Sequence, residues 1–289
     1  MLPTLRTSLA LLPPLSLALL TSCAGNLSEA QPARVLQEGA FSVNHIHNVI
    51  APAQSVQEAI RAGEAIARAP REGELLPAQE RENLIGSAVA LGLMSPGYSS
   101  HLEFGLGLGE DLDAQVRLGT GVYAASLRRG FAYGRWHGNL GVRGSYSNGS
   151  LLPYVDTINS LIKLSELQRY DTQLFVQGGR EWGQWARLWM GVKGIHSAYE
   201  GFVRSHQSLE DKLDTQVDEK LDGALHLYGG FVGAALGYRW LFVVAELNVL
   251  YSDAPAVTIA VASHNVSGWV MAPSWGLRGC FRTREAGCW

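Results

Sequence analysis

From residue 100 onward the chain reads in twos. In "HLEFGLGLG", Leu102, Phe104, Leu106 and Leu108 share one face, while Glu103, Gly105, Gly107 and Gly109 share the other. After a turn at Glu110-Asp111, Leu112, Ala114, Val116 and Leu118 oppose Asp113, Gln115 and Arg117. The pattern recurs through Tyr123, Leu127 and Phe131, through Leu140 and Val142, and through Val243, Ala245, Leu247 and Val249 against Glu246 and Asn248. Period-two alternation sustained in this way is the signature of β-strands with two unlike faces. The last segment, "SWGLRGCF", sets Trp275, Leu277 and Phe281 against Arg278 and Cys280.

Alternation alone fits a soluble sandwich or a lipocalin-like barrel as well as a membrane barrel. Three features favour the membrane form. Several segments have the 9–11 residues that a tilted spanning strand needs. Aromatic residues cluster at segment ends, at Tyr133, Trp136, Tyr146, Trp182, Trp185, Tyr238, Trp240 and Phe281, as interfacial girdles require. The faces opposite the apolar ones carry charges of both signs: Glu103, Asp113, Arg117, Arg128, Arg143, Asp171, Glu181, Arg187, Lys193, Glu246 and Arg278. In lipid the apolar face turns outward, these charges turn into the lumen, and closure removes every unpaired edge.

The connections alternate in length. Short turns at residues 109–111, 133–135, 182–184 and 238–240 read as periplasmic, and longer ones at 149–168, 199–223 and 253–266 as outer loops. Nine strands are countable between 100 and 281. Even parity asks for a tenth upstream, either 39–50 or 84–94, and the first is preferred. The expected fold is therefore all-β: a closed antiparallel barrel of about ten strands with partly helical outer loops. Helical spacing is read in three places: residues 54–69, 154–168 and 208–223.

The N-terminus has one basic residue, Arg6, followed by an apolar stretch from Leu9 to Leu20 broken by Pro13-Pro14. This is a secretory signal rather than a core helix. Its end, Leu20-Thr21-Ser22-Cys23, resembles the bacterial lipobox, which implies cleavage after residue 22 and acylation of Cys23. The chain then divides into a signal (1–22), an N-terminal segment (23–99), the barrel (100–281) and a short periplasmic tail (282–289). Two further cysteines, Cys280 and Cys288, read as one disulfide in an oxidising envelope. No His accompanies them, so a metal site is disfavoured. A formal net charge of -3 leaves no basic patch for nucleic acid.

Taken together, the chain resembles a bacterial outer-membrane β-barrel protein carrying a lipoprotein signal, by motif over 1–23 and by pattern over 100–281. No motif selects a subfamily. The resemblance implies location in the outer membrane, with its lipid as partner, and a terminal strand ending in an aromatic residue. Phe281 fits that end, and eight residues follow it.

Little in the sequence suggests catalysis. His45 and His47 lie two apart, on one face of a strand, but lack a third ligand at metal spacing; they read as lumen or interface residues. Ser263-His264-Asn265 places Ser and His on opposite faces of a strand, and no GxSxG is present. Neither a cofactor nor a metal is expected. The near-balanced lumen charges predict a salt-bridged interior that closes the barrel. The expected role is structural or surface-interacting, with a narrow channel for a small or apolar solute as the alternative and a lipid-modifying enzyme behind it.

Overall fold

The computed structural model describes residues 27–53, 57, 96–119, 121–148, 162–205, 218–254, 257–259, 262–264 and 267–282. Ten strands form one closed antiparallel barrel: β1 (Ala40–Pro52), β2 (Gly97–Gly109), β3 (Leu112–Gly119), β4 (Val122–Tyr133), β5 (Trp136–Asn148), β6 (Ile162–Trp182), β7 (Ala186–Ser205), β8 (Asp218–Tyr238), β9 (Leu241–Asp253) and β12 (Gly268–Arg282). Two three-residue strands, β10 (Val257–Ile259) and β11 (Ala262–His264), pair with each other in the connection between β9 and β12.

Consecutive strands are neighbours throughout, and β1 closes the ring by pairing with both β2 and β12. Phe41 lies opposite Leu106 on one side and Phe281 on the other. The first strand is thus the upstream candidate, and the barrel closes without residues 84–94, which lie outside the described residues.

Two-residue turns join β2 to β3, β4 to β5 and β8 to β9, and Gly183–Trp185 joins β6 to β7. All four lie at one end, here the short-turn end. Gly134, at φ +61°, occupies the left-handed conformation that such a turn demands. The opposite end carries the longer connections together with the short β3–β4 turn.

The outer connections differ from expectation. Residues 162–168 belong to β6 and residues 218–223 to β8, not to amphipathic helices. Their helical spacing was a local signal, and the ladder between neighbouring strands overrides it: Phe202 lies opposite Lys220 and Gln168 opposite Glu200. The remainders of those two expected helices, 154–161 and 208–217, lie outside the described residues. So does nearly all of the helix expected over 54–69, and so do residues 1–26, which include the expected signal (1–22), and residues 283–289 of the expected tail, whose Arg282 ends β12.

The wall is inverted relative to a soluble protein. Val192, Met190, Leu236, Leu174 and Val243 are each about 60% exposed on its outer surface. Their neighbours Lys193, Trp189, Ala235, Gln173 and Phe242 are buried within. At the short-turn end Trp240 stacks on Phe281, and the Arg180 guanidinium lies over Trp136 and Trp182. Toward the other end Tyr146 meets Tyr170, and Tyr251 meets both Tyr228 and Trp269. Two aromatic bands therefore flank an apolar belt.

Candidate functional site

The lumen is occupied by the chain's own N-terminal segment. Residues 27–39 enter from the direction of the long-loop end and descend to the short-turn end. There Gly39, at φ +72°, reverses the chain into β1. Leu27, Ser28, Glu29, Ala30, Gln31 and Leu36 are almost wholly buried. At the reversal the Gly39 N–H donates to the Gly107 carbonyl and the Ala40 N–H to the Gln37 carbonyl.

This segment joins no ladder, so its main-chain groups must find other partners. Wall side chains supply them. The Glu246 carboxylate accepts from the N–H groups of Glu29 (2.7 Å) and Ala30 (2.8 Å), and from Trp189 Nε1 (3.0 Å). Asp113 accepts from the Leu36 N–H at 2.8 Å. On the acceptor side, the Ser28 carbonyl takes Arg117 and Arg143, at 2.8 and 3.2 Å. The Leu27 carbonyl takes Lys193, the Pro32 carbonyl takes Arg128 and Gln177, and the Ala33 carbonyl takes Asn139 at 2.6 Å.

Ion pairs tie the wall to itself and to this plug. Glu103 and Arg117 face each other across β2 and β3, with both guanidinium contacts at 3.0 Å or less. Asp113 and Arg128 do the same across β3 and β4, at 2.5 and 2.9 Å. Arg187 meets Glu181 at 3.2 Å across β6 and β7, and Arg169 meets Asp171 at 2.7 Å within β6. The plug contributes Glu29, which pairs with Arg143 (2.8 Å) and lies 3.8 Å from Lys193, and Arg34, which pairs with Glu181 at 3.2 Å. An apolar cluster of Phe175, Trp189, Phe231 and Phe242 packs against Ala30 and Ala33. Below the plug a cavity of about 590 Å³ opens at the short-turn end, lined by Arg34, Leu36, Glu38, Glu110, Phe131 and His137 among others.

Ten of the eleven charges singled out in the sequence are buried in this lumen, and Glu181 is largely so. Sequence reasoning missed Glu29, Arg34 and Arg169. "SEAQPARVLQEG" has neither strand nor helix period, and only its polarity followed by Pro32 distinguishes it from a linker. Trp189 breaks the apolar stripe of its strand because its indole N–H serves Glu246.

His45 and His47 are not in the lumen. They project from the outer surface of β1, their rings 4.5 Å apart. His47 Nδ1 meets the Tyr98 hydroxyl, and its ring stacks on Trp275. Alternation along β1 dictates this, because Ile46 and Asn48 are the buried set. Among the described residues no group of three His, Cys, Asp or Glu could hold a metal. Ser263 and His264 are successive residues of β11, and Asn265 lies outside the described residues. Cys280 is buried on the lumen side beside Leu36 and Ala40, and Cys23 and Cys288 lie outside the described residues.

No known family model matches the chain, nor does any curated protein. Among solved structures it is similar to Neisserial surface protein A at 7% identity, covering 84% of this chain and 96% of that one, with a TM-score of 0.35. It is likewise similar to Ail, the attachment invasion locus protein of Yersinia pestis, at 9% identity over 85% and 100%, TM-score 0.29. The outer membrane protein OprG from Pseudomonas aeruginosa matches at 8% over 86% and 99%, TM-score 0.31. The barrel assignment rests on the strand pairing of this chain and needs none of these likenesses.

Proposed function

We propose that the protein is a non-enzymatic outer-membrane β-barrel lipoprotein with a structural or surface-interaction role, its lumen closed by its own N-terminal segment. The observation that carries this reading is the inverted wall: an apolar outer belt between two aromatic bands, around a charged interior filled by residues 27–39. An apolar belt of this kind is stable only against hydrocarbon, and a closed barrel leaves no backbone edge there. The short-turn end is then periplasmic.

On this reading Cys23 carries the lipid. The plug rises from Gly39 at the periplasmic end to Leu27. Cys280 and Cys288 form a disulfide that ties the tail to the last strand.

Membrane fractionation with heat-modifiable gel mobility tests the barrel, and the mass of the N-terminal peptide tests acylation at Cys23. Planar-bilayer recording of the intact chain tests closure. Steady ion-carrying steps would overturn it in favour of a narrow channel. Two free thiols in the mature oxidised protein would remove the disulfide.

A further inference from the structure

Glu29 of the plug sits in the lumen as a ligand sits in a pocket. Its carboxylate takes Arg143 at 2.8 Å, has Lys193 at 3.8 Å and accepts from the Gln173 amide. One residue earlier, the Ser28 carbonyl draws the second Arg143 nitrogen and Arg117, and the Leu27 carbonyl draws Lys193. Three wall cations thus converge on three consecutive plug residues, each contributing oxygen. All are held on strands, at depth, with little exposure.

The wall partners of these cations differ. Arg117 has its own acid, Glu103, directly across the ladder. The ion pairs of Arg143 and Lys193, among the described residues, are both to Glu29 of the plug. The wall itself is therefore biased toward positive charge. Arg117, Arg128, Arg143, Arg169, Arg187, Lys193 and Arg278 line it against Glu103, Asp113, Asp171, Glu181 and Glu246. A lumen lined with excess Arg and Lys attracts anions, and low-dielectric walls concentrate that field.

We propose that Arg143, Lys193 and Gln173 form an anion site of the barrel wall, for a compact carboxylate or phosphate, which Glu29 fills in the closed state. With the plug out of the lumen the barrel is an anion-selective path. The guanidinium and ammonium donors match oxyanions, since charge-assisted hydrogen bonds to such groups are the strong ones. This anion preference belongs to the wall, rests on the membrane-barrel reading above, and is separate from the closure of the intact chain.

Two experiments on the full chain test it. Deletion of residues 27–38 is recorded in planar bilayers under a potassium chloride gradient. The expected result is open steps with chloride favoured over potassium, and a several-fold loss of that preference when Arg143→Gln and Lys193→Gln are added. Cation preference, or no steps from a deletion protein that migrates as a folded barrel, overturns the proposal. Should the deletion not fold, Glu29→Ala decides, because it removes the whole carboxylate group from among Arg143, Lys193 and Gln173. Emptying the site of its carboxylate makes inorganic phosphate or acetate raise the unfolding temperature of the variant, with the wild type unmoved. Phosphate alone acting identifies a phosphate site, and acetate alone a carboxylate site. An equal response of variant and wild type to both anions overturns the proposal.

Discussion

The barrel wall is extended chain and the plug is irregular, and the two satisfy their backbones in opposite ways. A wall strand pairs its N–H and C=O groups with the strands beside it, whatever the side chains are. The plug pairs with side chains: its N–H groups with Glu246 and Asp113, its carbonyls with Arg117, Arg128, Asn139, Arg143, Gln177 and Lys193. The wall therefore tolerates exchange of one apolar residue for another on its outer face. The plug depends on individual acids, bases and amides. Its partners are also distant in sequence: Ala30 and Glu246 are 216 residues apart.

The largest expected effect follows from that dependence. Glu246→Ala removes one acceptor from two plug N–H groups and from the Trp189 indole. We expect a loss of roughly 3–5 kcal/mol, since these three N–H groups lose their acceptor at about 1–3 kcal/mol each with overlapping costs, while Ser28 Oγ and Asn248 Nδ2, which also donate to Glu246, keep Ser274 and the Ala272 carbonyl as partners. Urea unfolding in lipid measures it. The adjacent outward change, Leu247→Ala, leaves no donor stranded and is expected to cost much less. Equal losses at 246 and 247 would break the distinction between the two regions.

The outer face has its own vulnerability. Leu174 is 59% exposed and flanked inward by buried Gln173. In hydrocarbon, Leu174→Arg is expected to cost roughly 2–4 kcal/mol, the penalty of a cation near the bilayer midplane. In detergent of low packing the penalty shrinks. A variant as stable as wild type in bilayers would mean that this belt does not face lipid.

These contrasts explain what was legible in the sequence. Leu102 to Leu108, or Val243 to Val249, state their strand and their face outright, because alternation is a local consequence of two unlike environments. Cross-strand pairs such as Glu103 with Arg117 followed once the charges were assigned to the interior. The plug was not legible, because side-chain rescue of a main chain leaves no period. Glu29 carries no local mark of its role: its partners, Gln173, Arg143 and Lys193, are set by barrel closure. The described parts of the helices expected over 154–168 and 208–223, namely 162–168 and 218–223, are strand for the same reason in reverse, since a local period yielded to pairing with β7 on either side. His45 and His47 were assigned by polarity to a lumen or interface, when alternation around Ile46 already sent them outward.

The smallest expected effect isolates plug from wall at a single methyl group. Gly107 and Gly109 are both in β2, two residues apart. A Cβ at Gly107 would lie 1.8 Å from the Gln37 carbonyl oxygen and 2.5 Å from its carbon, so the obstacle is plug main chain that no rotamer change relieves. A Cβ at Gly109 meets nothing within 4 Å. Gly107→Ala is therefore expected to cost roughly 1–3 kcal/mol, in the range of overpacking, by pushing the Gln37–Gly39 reversal away from β2. The ladder of β2 with β3 needs no change. Because the displaced segment leads into the lumen, the variant should also admit protease to residues 27–39 from the short-turn end. Gly109→Ala should leave both stability and cleavage at wild-type levels. If the two substitutions behave alike, the plug is not seated against β2. If Gly107→Ala loses stability without new cleavage below the melting range, the wall and not the plug has absorbed the methyl group. The pair thus reads out plug seating with one atom and an internal control.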